Sequence, residues 1–210
     1  MDTNLARQLR LLLIADHELF GGRDPLPLCR AAVDGGVTAV QLRWKEGPPR
    51  EQVALARRLV AGLAVPVFVN DRPDVALAAG CAGVHLGALD LPRALARRLA
   101  PPGFLLGTSV GSDAEADRVQ GADYAGVGPW RETATKADAG AALDPSRVAA
   151  LIRRIGPLAT VVIGGVLPAD IPAIVAAGAV GAAVGSGILG QDDVRRAAAA
   201  YREAERGITA

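Results

Sequence analysis

Short, continuous apolar runs alternate with amphipathic stretches along almost the whole chain, and this alternation limits the possible folds more than any other feature. Eight such runs occur in the 210 residues. Their apolar residues follow one another directly, which is typical of strands buried on both faces of a parallel sheet. The predicted strands are Leu11 to Ala15, Ala39 to Leu42, Val65 to Val69, Gly83 to Leu86, Leu105 to Ser109, Tyr124 to Val127, Thr160 to Ile163 and Gly181 to Val184.

The stretches between these runs have the apolar spacing of helices. Several of them end in glycine directly before a strand, as expected for a left-handed helix stop, at Gly35-Gly36, Gly80, Gly121 and Gly178. Pro92, Pro145 and Pro168 lie near helix starts, where a missing N–H is tolerated. The predicted helices are Glu51 to Leu63, Pro92 to Ala100, Ala114 to Gln120, Pro145 to Ile155 and Pro168 to Ala177, with Met1 to Arg10 and Arg202 to Ala210 helical at the termini.

Eight strand–helix units of about 26 residues each predict an α/β protein with a single (β/α)8 TIM barrel spanning residues 1–210. A doubly wound open sheet is the alternative. It would normally carry a glycine-rich phosphate turn after its first strand. Here the first strand ends in Ala15-Asp16-His17, which favours the barrel.

Charge and cysteine content exclude several classes of protein. With 23 basic and 22 acidic residues the net charge is +1, which argues against a nucleic-acid binder. Cys29 and Cys81 form no CxxC pair and are predicted to be buried thiols. The first apolar run stops at Asp16, too early for a membrane span. We expect a soluble cytoplasmic protein with small-molecule partners, and these features are compatible with a homo-oligomer.

Polar and glycine residues follow nearly every predicted strand. In a TIM barrel the carboxyl ends of the strands form the active site, so these residues are expected to meet there. Gln41 is notable because it interrupts an apolar strand. The residues at these ends are Asp16-His17, Arg43-Trp44-Lys45, Asn70-Asp71-Arg72, Gly87 with Asp90, Thr108-Ser109, Gly164-Gly165 and Gly185-Ser186-Gly187.

The glycines after strands 7 and 8 predict a phosphate site. Many barrels bind a phosphate at these two loops through backbone N–H groups. Glycine lets the backbone approach an anion closely, and Ser186 can add a hydroxyl donor.

The other half of the rim combines carboxylates with cations. Asp71 and Asp90 follow neighbouring strands, and Mg²⁺ typically takes one or two carboxylates together with phosphate oxygens. Arg43, Lys45 and Lys136 can approach the same pocket. The set predicts a diphosphate site with Mg²⁺ as cofactor. The alternative, ordinary rim salt bridges, would suffice for any single pair.

The 16 residues from Gly128 to Leu143 form a long connection, which suggests a functional lid. Thr133, Thr135 and Lys136 within it offer two hydroxyls and an ammonium to an anion. His17 and His85 lack the neighbours of a zinc site. We expect a structural or orienting role for His85, with acid–base catalysis as the alternative.

These residues, taken in order, resemble the thiamine-phosphate synthase family. Each string is weak alone, but their ordered combination is specific and spans nearly the whole chain. The matching strings are Gln41-Leu42-Arg43-Trp44-Lys45, Asn70-Asp71-Arg72, VHLG with Asp90-Leu91-Pro92, GVGP with Thr133-Ala134-Thr135-Lys136, and IGG at 163–165.

The resemblance implies an Mg²⁺-dependent transferase in thiamine biosynthesis. It would join a hydroxymethylpyrimidine diphosphate to a thiazole ethyl phosphate, or its carboxylated form, with release of diphosphate. The implied ligands of the pyrimidine and its diphosphate are Gln41, Arg43, Lys45, Asn70, Ser109 and Lys136, of which Arg43, Lys45, Ser109 and Lys136 would be catalytic. Asp71 and Asp90 would bind Mg²⁺. The implied ligands of the thiazole phosphate are Thr133, Thr135, Gly165, Gly185 and Ser186.

The chain departs from the family pattern at two places. Ala88 stands where the family often has Gln, and Arg131-Glu132 replace its usual Phe-Pro. The glycines around Ser186 also resemble the sister group of thiazole tautomerases, which act on thiazole phosphate alone. That group typically lacks the aspartate pair and the Thr-x-Thr-Lys run. A non-catalytic sensor of phosphate ligands is a further alternative.

Overall fold

The computed structural model describes residues 3–132 and 141–207, and within them eight strands close into one parallel barrel. Each strand pairs with the next along the chain, and β8 pairs back to β1 through Leu11 and Ala182. The predicted (β/α)8 barrel is therefore confirmed. The strands are β1 (Leu11–Asp16), β2 (Ala39–Arg43), β3 (Val67–Asn70), β4 (Gly83–Leu86), β5 (Leu105–Val110), β6 (Tyr124–Val127), β7 (Ala159–Ile163) and β8 (Gly181–Val184).

Helices follow the strands and cover the outside of the barrel. Short 3-10 turns at His17–Phe20 and Pro168–Asp170 complete the loops after β1 and β7. Among residues 3–132 and 141–207, no helix has the length and apolar character needed to cross a membrane. The α-helices are α1 (Thr3–Gln8), α2 (Pro25–Asp34), α3 (Pro49–Gly62), α4 (Pro73–Ala79), α5 (Arg93–Leu99), α6 (Asp113–Ala116), α7 (Pro145–Ile155), α8 (Ile171–Ala176), α9 (Ser186–Leu189) and α10 (Val194–Arg206).

Several predicted boundaries were wrong. The helix predicted from Ala114 to Gln120 is the single turn α6, because the backbone beyond it makes the i→i+3 bonds of tight turns. The Arg118 N–H donates to the carbonyl of Glu115 and the Ala122 N–H to that of Val119, both at 3.0 Å. The third strand begins at Val67 because Pro66 has no N–H for the sheet. The helix predicted from Pro168 divides into the 3-10 turn and α8, which carries Pro172 in its first turn.

The glycine stops were largely confirmed. Gly36, Gly80, Gly121 and Gly178 adopt positive φ, whereas Gly35 remains in the right-handed region. Within the described residues, α1 ends at Gln8 rather than Arg10, and α10 begins at Val194 and ends at Arg206. Residues 1–2 and 208–210 of those two predictions lie outside the described residues.

Two hydrophobic layers fill the molecule. A smaller cluster that includes Leu12, Ile14, Phe68 and Tyr124 occupies the barrel interior, and a larger one lies between the strands and the helices. Cys29 and Cys81 are buried, as predicted, and burial raises the pKa of both thiols to about 12. The apolar filling supports a polar layer at the carboxyl ends of the strands.

Candidate active site

The polar layer begins with two amides above the apolar filling of the barrel. Gln41 pairs in the sheet with Ile14 and Phe68, two members of the interior cluster, and is itself buried. Its Nε2 donates to Oδ1 of Asn70 at 2.8 Å. An amide carries both a donor and an acceptor, so the pair can still offer Oε1 of Gln41 and Nδ2 of Asn70 to a ligand.

A second polar chain runs from the interior toward the rim. The Tyr124 hydroxyl lies 3.2 Å from Nδ1 of His85, and Nε2 of His85 lies 3.0 Å from Oγ of Ser109. Burial raises the pKa of Tyr124, so its phenol stays protonated. These contacts support the predicted orienting role of His85. Sequence reasoning missed Tyr124, although a tyrosine at an inward strand position signals a buried hydroxyl in need of a partner.

Arg43 is held by a buried carboxylate. Its Nη1 forms an ion pair with Oδ2 of Asp16, its register neighbour at the end of β1. The side chains are 13% and 4% exposed, so water screens the pair weakly. Asp16 Oδ1 also accepts from the backbone N–H of Glu18 at 3.2 Å. The predicted diphosphate ligand Arg43 is therefore preorganised by Asp16, a role that the position of Asp16 at a strand end does not by itself predict.

The loop that carries Lys45 is anchored on both sides. The rings of His17 and Trp44 stack at 3.7 Å with an angle of 4° between their planes. Nε2 of the buried Gln52 donates to the carbonyls of Trp44 at 2.9 Å and Gly47 at 2.7 Å. His17 and Gln52 thus fix the backbone on either side of Lys45.

Asp71 and Asp90 converge as predicted. Burial raises the pKa of Asp71 to about 6, and a hydrogen bond and charge repulsion from Asp90 add to this rise, against the opposing effect of Lys45 and Arg43. Oδ2 of Asp90 also accepts from Gly87 N at 2.6 Å. The two carboxylates and two cations predicted from sequence therefore share one part of the rim.

The backbone of Asp71 is unusual. Its φ is 63°, and it is the one residue other than glycine with positive φ in the described part of the chain. Aspartate and asparagine tolerate this conformation better than most residues, but it still carries strain. The Asp71 N–H donates to the carbonyl of His85 at 2.8 Å, which holds the strained residue over β4.

The aspartate pair suits a divalent cation. Two adjacent carboxylates, once both are ionised, form a donor set that Mg²⁺ prefers, with phosphate oxygens and waters as its remaining ligands. The described residues contain no group of three or more acidic, histidine or cysteine side chains that could hold a metal. A cation at Asp71 and Asp90 would thus depend on ligands from a substrate.

The loops after β7 and β8 present backbone donors. Gly165 has a φ of 62°, and a Cβ there would lie 2.8 Å from Cβ of Arg131, so this position requires glycine. Ser186 begins α9 directly after Gly185. Among the residues that the structure describes, the N–H groups of Gly165, Val166, Ser186 and Gly187 have no hydrogen-bond acceptor. Such open amides are suited to an anion.

The long connection after β6 is only partly described. Thr133, Thr135 and Lys136 lie outside the described residues, and the lid predicted there stays a prediction. Before that gap, the Trp130 N–H donates to the carbonyl of Ile163 at 2.8 Å. After it, the Leu143 N–H donates to the carbonyl of Pro129 at 2.8 Å. The two ends of the connection therefore lie beside each other next to β7.

A family profile and two sequence relatives that match this chain carry nearly the same name. A family profile described as thiamine monophosphate synthase matches residues 11–188. The thiamine-phosphate synthase of Methanoculleus marisnigri is 44% identical over 200 residues, covering 92% of this chain and 93% of the relative. That of Moorella thermoacetica is 42% identical over 201 residues, covering 93% and 95%.

A solved structure agrees with these sequence relatives. Thiamine phosphate pyrophosphorylase from Pyrococcus furiosus superposes with a TM-score of 0.87 at 32% identity, covering 99% of this chain and all of that one (100%). A 3-hexulose-6-phosphate synthase superposes with a TM-score of 0.69 at 21% identity and shares the fold alone. With the profile over most of the barrel and relatives above 40% identity over nine-tenths of its length, the chain belongs to the thiamine monophosphate synthase family.

Proposed function

We propose that this chain is a thiamine-phosphate synthase. It condenses 4-amino-2-methyl-5-hydroxymethylpyrimidine diphosphate with thiazole ethyl phosphate to give thiamine phosphate and diphosphate. The observation that carries the proposal is the convergence of Asp71 and Asp90 with Arg43 and Lys45 in a barrel whose β7 and β8 loops present amides that have no acceptor in the described part of the chain. One group of residues suits a metal-bound diphosphate and the other a phosphate monoester.

The reaction exchanges one bond at the pyrimidine methylene. Its C–O bond to the diphosphate breaks, the bonding electron pair leaves with the diphosphate, and the thiazole nitrogen forms the new C–N bond. The aminopyrimidine ring can stabilise a developing cation on the methylene, so departure of the diphosphate can precede attack. The protein must then neutralise the leaving group and hold the nucleophile in line.

The diphosphate half of the site supplies positive charge to the leaving group. Arg43, Lys45 and Lys136 bind the leaving group, and Ser109 donates a hydrogen bond beside them. Mg²⁺ held by Asp71 and Asp90 would neutralise negative charge on the diphosphate when it is bound. The ion pair with Asp16 holds the Arg43 side chain in place.

The amides of Gln41 and Asn70 recognise the pyrimidine ring by hydrogen bonds. Gln41 and Asn70 bind each other through one donor and one acceptor. Their remaining acceptor and donor match the amino group and a ring nitrogen of an aminopyrimidine.

The thiazole phosphate binds at the other half of the rim. Gly165, Gly185 and Ser186 line its site, and the donors are the N–H groups of Gly165 and Ser186 with the serine hydroxyl. Thr133 and Thr135 complete the site. Anchoring the phosphate at a distance from the reacting nitrogen orients the ring, so that attack on the methylene becomes effectively unimolecular.

The tautomerase and sensor alternatives receive no support from the relatives, which are named as synthases. Diphosphate release separates the three functions. A synthase releases diphosphate only when both substrates and Mg²⁺ are present. A tautomerase consumes thiazole phosphate alone, and a sensor binds without turnover. Turnover of thiazole phosphate without the pyrimidine substrate would overturn the proposal.

Ser186→Glu should weaken binding of the thiazole phosphate. A carboxylate beside the open amides of the β8 loop repels the substrate phosphate, and we expect the KM for thiazole phosphate to rise about 10-fold or more. Ser186→Ala, which adds no charge, should raise this KM less. Steady-state kinetics with each substrate varied checks the prediction. An unchanged KM for thiazole phosphate in the Ser186→Glu variant would contradict the assignment of the phosphate site to the β8 loop.

Mg²⁺ should stabilise the chain only above the pKa of Asp71. In the metal-free protein this pKa is about 6, so below it a proton occupies the carboxylate that the cation needs. In thermal unfolding with MgCl2 and pyrophosphate, the rise in Tm caused by Mg²⁺ should be large near about pH 7.5 and small near about pH 5. Equal rises at both pH values would contradict the assignment of Asp71 as a ligand.

A further inference from the structure

Arg131 joins the connection after β6 to the loop after β7. Its Nη2 donates to Oδ1 of Asp170 at 2.7 Å, and its Nη1 binds Oδ2 of the same carboxylate. Nη1 also donates to the carbonyl of Gly165 at 3.2 Å, and the Arg131 backbone N–H donates to the carbonyl of Gly164 at 2.9 Å. Arg131 thus binds the β7 loop through both its backbone and its side chain.

Asp170 also forms a hydrogen bond within the loop after β7. Its Oδ2 accepts from Leu167 N at 2.7 Å, and its side chain is 11% exposed. Burial by itself would raise the pKa of Asp170, but the hydrogen bonds from Arg131, Leu167 and Trp130 outweigh it and lower this pKa. The carboxylate is therefore charged at neutral pH and firmly bound.

The contacts of Arg131 set the direction of two amide donors. A peptide unit is planar and trans, so fixing a carbonyl also fixes the N–H of the next residue. The bond to the Gly164 carbonyl fixes the N–H of Gly165, and the bond to the Gly165 carbonyl fixes the N–H of Val166. These two N–H groups belong to those that have no acceptor among the described residues.

We propose that Arg131 and Asp170, here called the Arg131–Asp170 clamp, are positioning residues for the phosphate of the thiazole substrate. The clamp holds the amides of Gly165 and Val166 in the orientation that receives this phosphate. This inference rests on the proposed function and deepens it. It also gives a role to Arg131, which stands at one of the two positions where the chain departs from the family pattern.

Kinetics on the whole chain distinguishes positioning from a merely structural role. The variants are Arg131→Leu, Asp170→Asn, their double variant and Arg131→Lys. The matched control is Arg154→Leu with Asp117→Asn, which removes another two-bonded Arg–Asp pair, between α7 and the end of α6.

Each clamp variant should raise the KM for thiazole phosphate about 10-fold or more, because small misplacements of binding groups are costly. The KM for the pyrimidine diphosphate should stay within about 2-fold, since the clamp does not contact that half of the site. Arg131→Lys should restore little, because an ammonium cannot make the same parallel pair of bonds. The control pair should leave both KM values unchanged.

Two results would overturn the clamp: an unchanged KM for thiazole phosphate in Arg131→Leu, or an equal rise in both KM values. A lower Tm with an unchanged KM for thiazole phosphate would also overturn the clamp, because it shows a structural role alone. Asp170→Asn keeps the volume of the side chain, so the test survives if Arg131→Leu folds poorly.

Binding of inorganic phosphate, followed by calorimetry, separates this inference from the proposed function. If the unmodified chain makes no thiamine phosphate but binds phosphate, and Arg131→Leu weakens that binding, the clamp stands and the proposed function fails. If the unmodified chain is an active synthase and Arg131→Leu binds phosphate equally well, the clamp fails alone. If the unmodified chain neither turns over nor binds phosphate, both fail.

Discussion

Asp71→Asn should lower the kcat for diphosphate release on the order of 10³-fold while raising the Tm of the metal-free protein near neutral pH. The loss of activity follows from removal of one of the two carboxylates proposed to hold Mg²⁺. The gain in Tm follows from the raised pKa of Asp71, because ionising this buried carboxylate, with Asp90 beside it, costs free energy in the folded state. Asparagine tolerates the positive φ of this position, so the variant adds little backbone strain.

The matched control for this variant is Asp74→Asn. Asp74 lies in the first turn of α4, pairs with Arg72 and has a side chain that is 62% exposed. Its loss should leave kcat unchanged, because it lies outside the proposed metal site. Activity assays and thermal unfolding of both variants check the prediction. An Asp71→Asn protein with normal Mg²⁺-dependent turnover would refute the metal assignment.

Arg43→Met should be the most destabilising substitution among the predicted ligands. It leaves the carboxylate of Asp16 buried and unpaired, and breaking such a pair costs about 3–5 kcal/mol of unfolding free energy. Adding Asp16→Asn should recover most of that stability, because the buried charge is then also removed. The double variant should fold but release diphosphate far more slowly, since the cation at the leaving group is absent.

Urea unfolding of the two single variants and the double variant measures this coupling. The comparison pair is Arg58 with Asp24, whose side chains are 53% and 51% exposed. Breaking that pair by Arg58→Met should cost about 1 kcal/mol or less. If Asp16→Asn fails to recover stability in the Arg43→Met background, Asp16 does not act through Arg43.

The barrel could be predicted from sequence because its strands are buried on both faces and therefore read as continuous apolar runs. The limits of elements were less accessible, because apolar periodicity does not show where the backbone hydrogen bonding changes. Beyond α6 the backbone bonds become those of tight turns, and Pro66 delays β3 through a missing N–H. The proline is visible in the sequence, but it stands inside an apolar run that has the pattern of one strand.

The convergence of Asp71 with Asp90 could be predicted from their positions after neighbouring strands. The partners of the predicted ligands could not, because they depend on strand register and on which face each side chain occupies. Asp16 reaches Arg43 only when β1 and β2 pair in their observed register. Tyr124 reaches His85 through the barrel interior, between strands that are not neighbours.

A crystal structure with thiamine phosphate, pyrophosphate and Mg²⁺ tests the central claim most directly. The account predicts Mg²⁺ on the carboxylates of Asp71 and Asp90, with pyrophosphate against Arg43 and Lys45. It places the thiamine phosphate monoester on the amides of Gly165 and Ser186. Density for the metal and pyrophosphate away from both aspartates, or for the monoester away from the β7 and β8 loops, would contradict it.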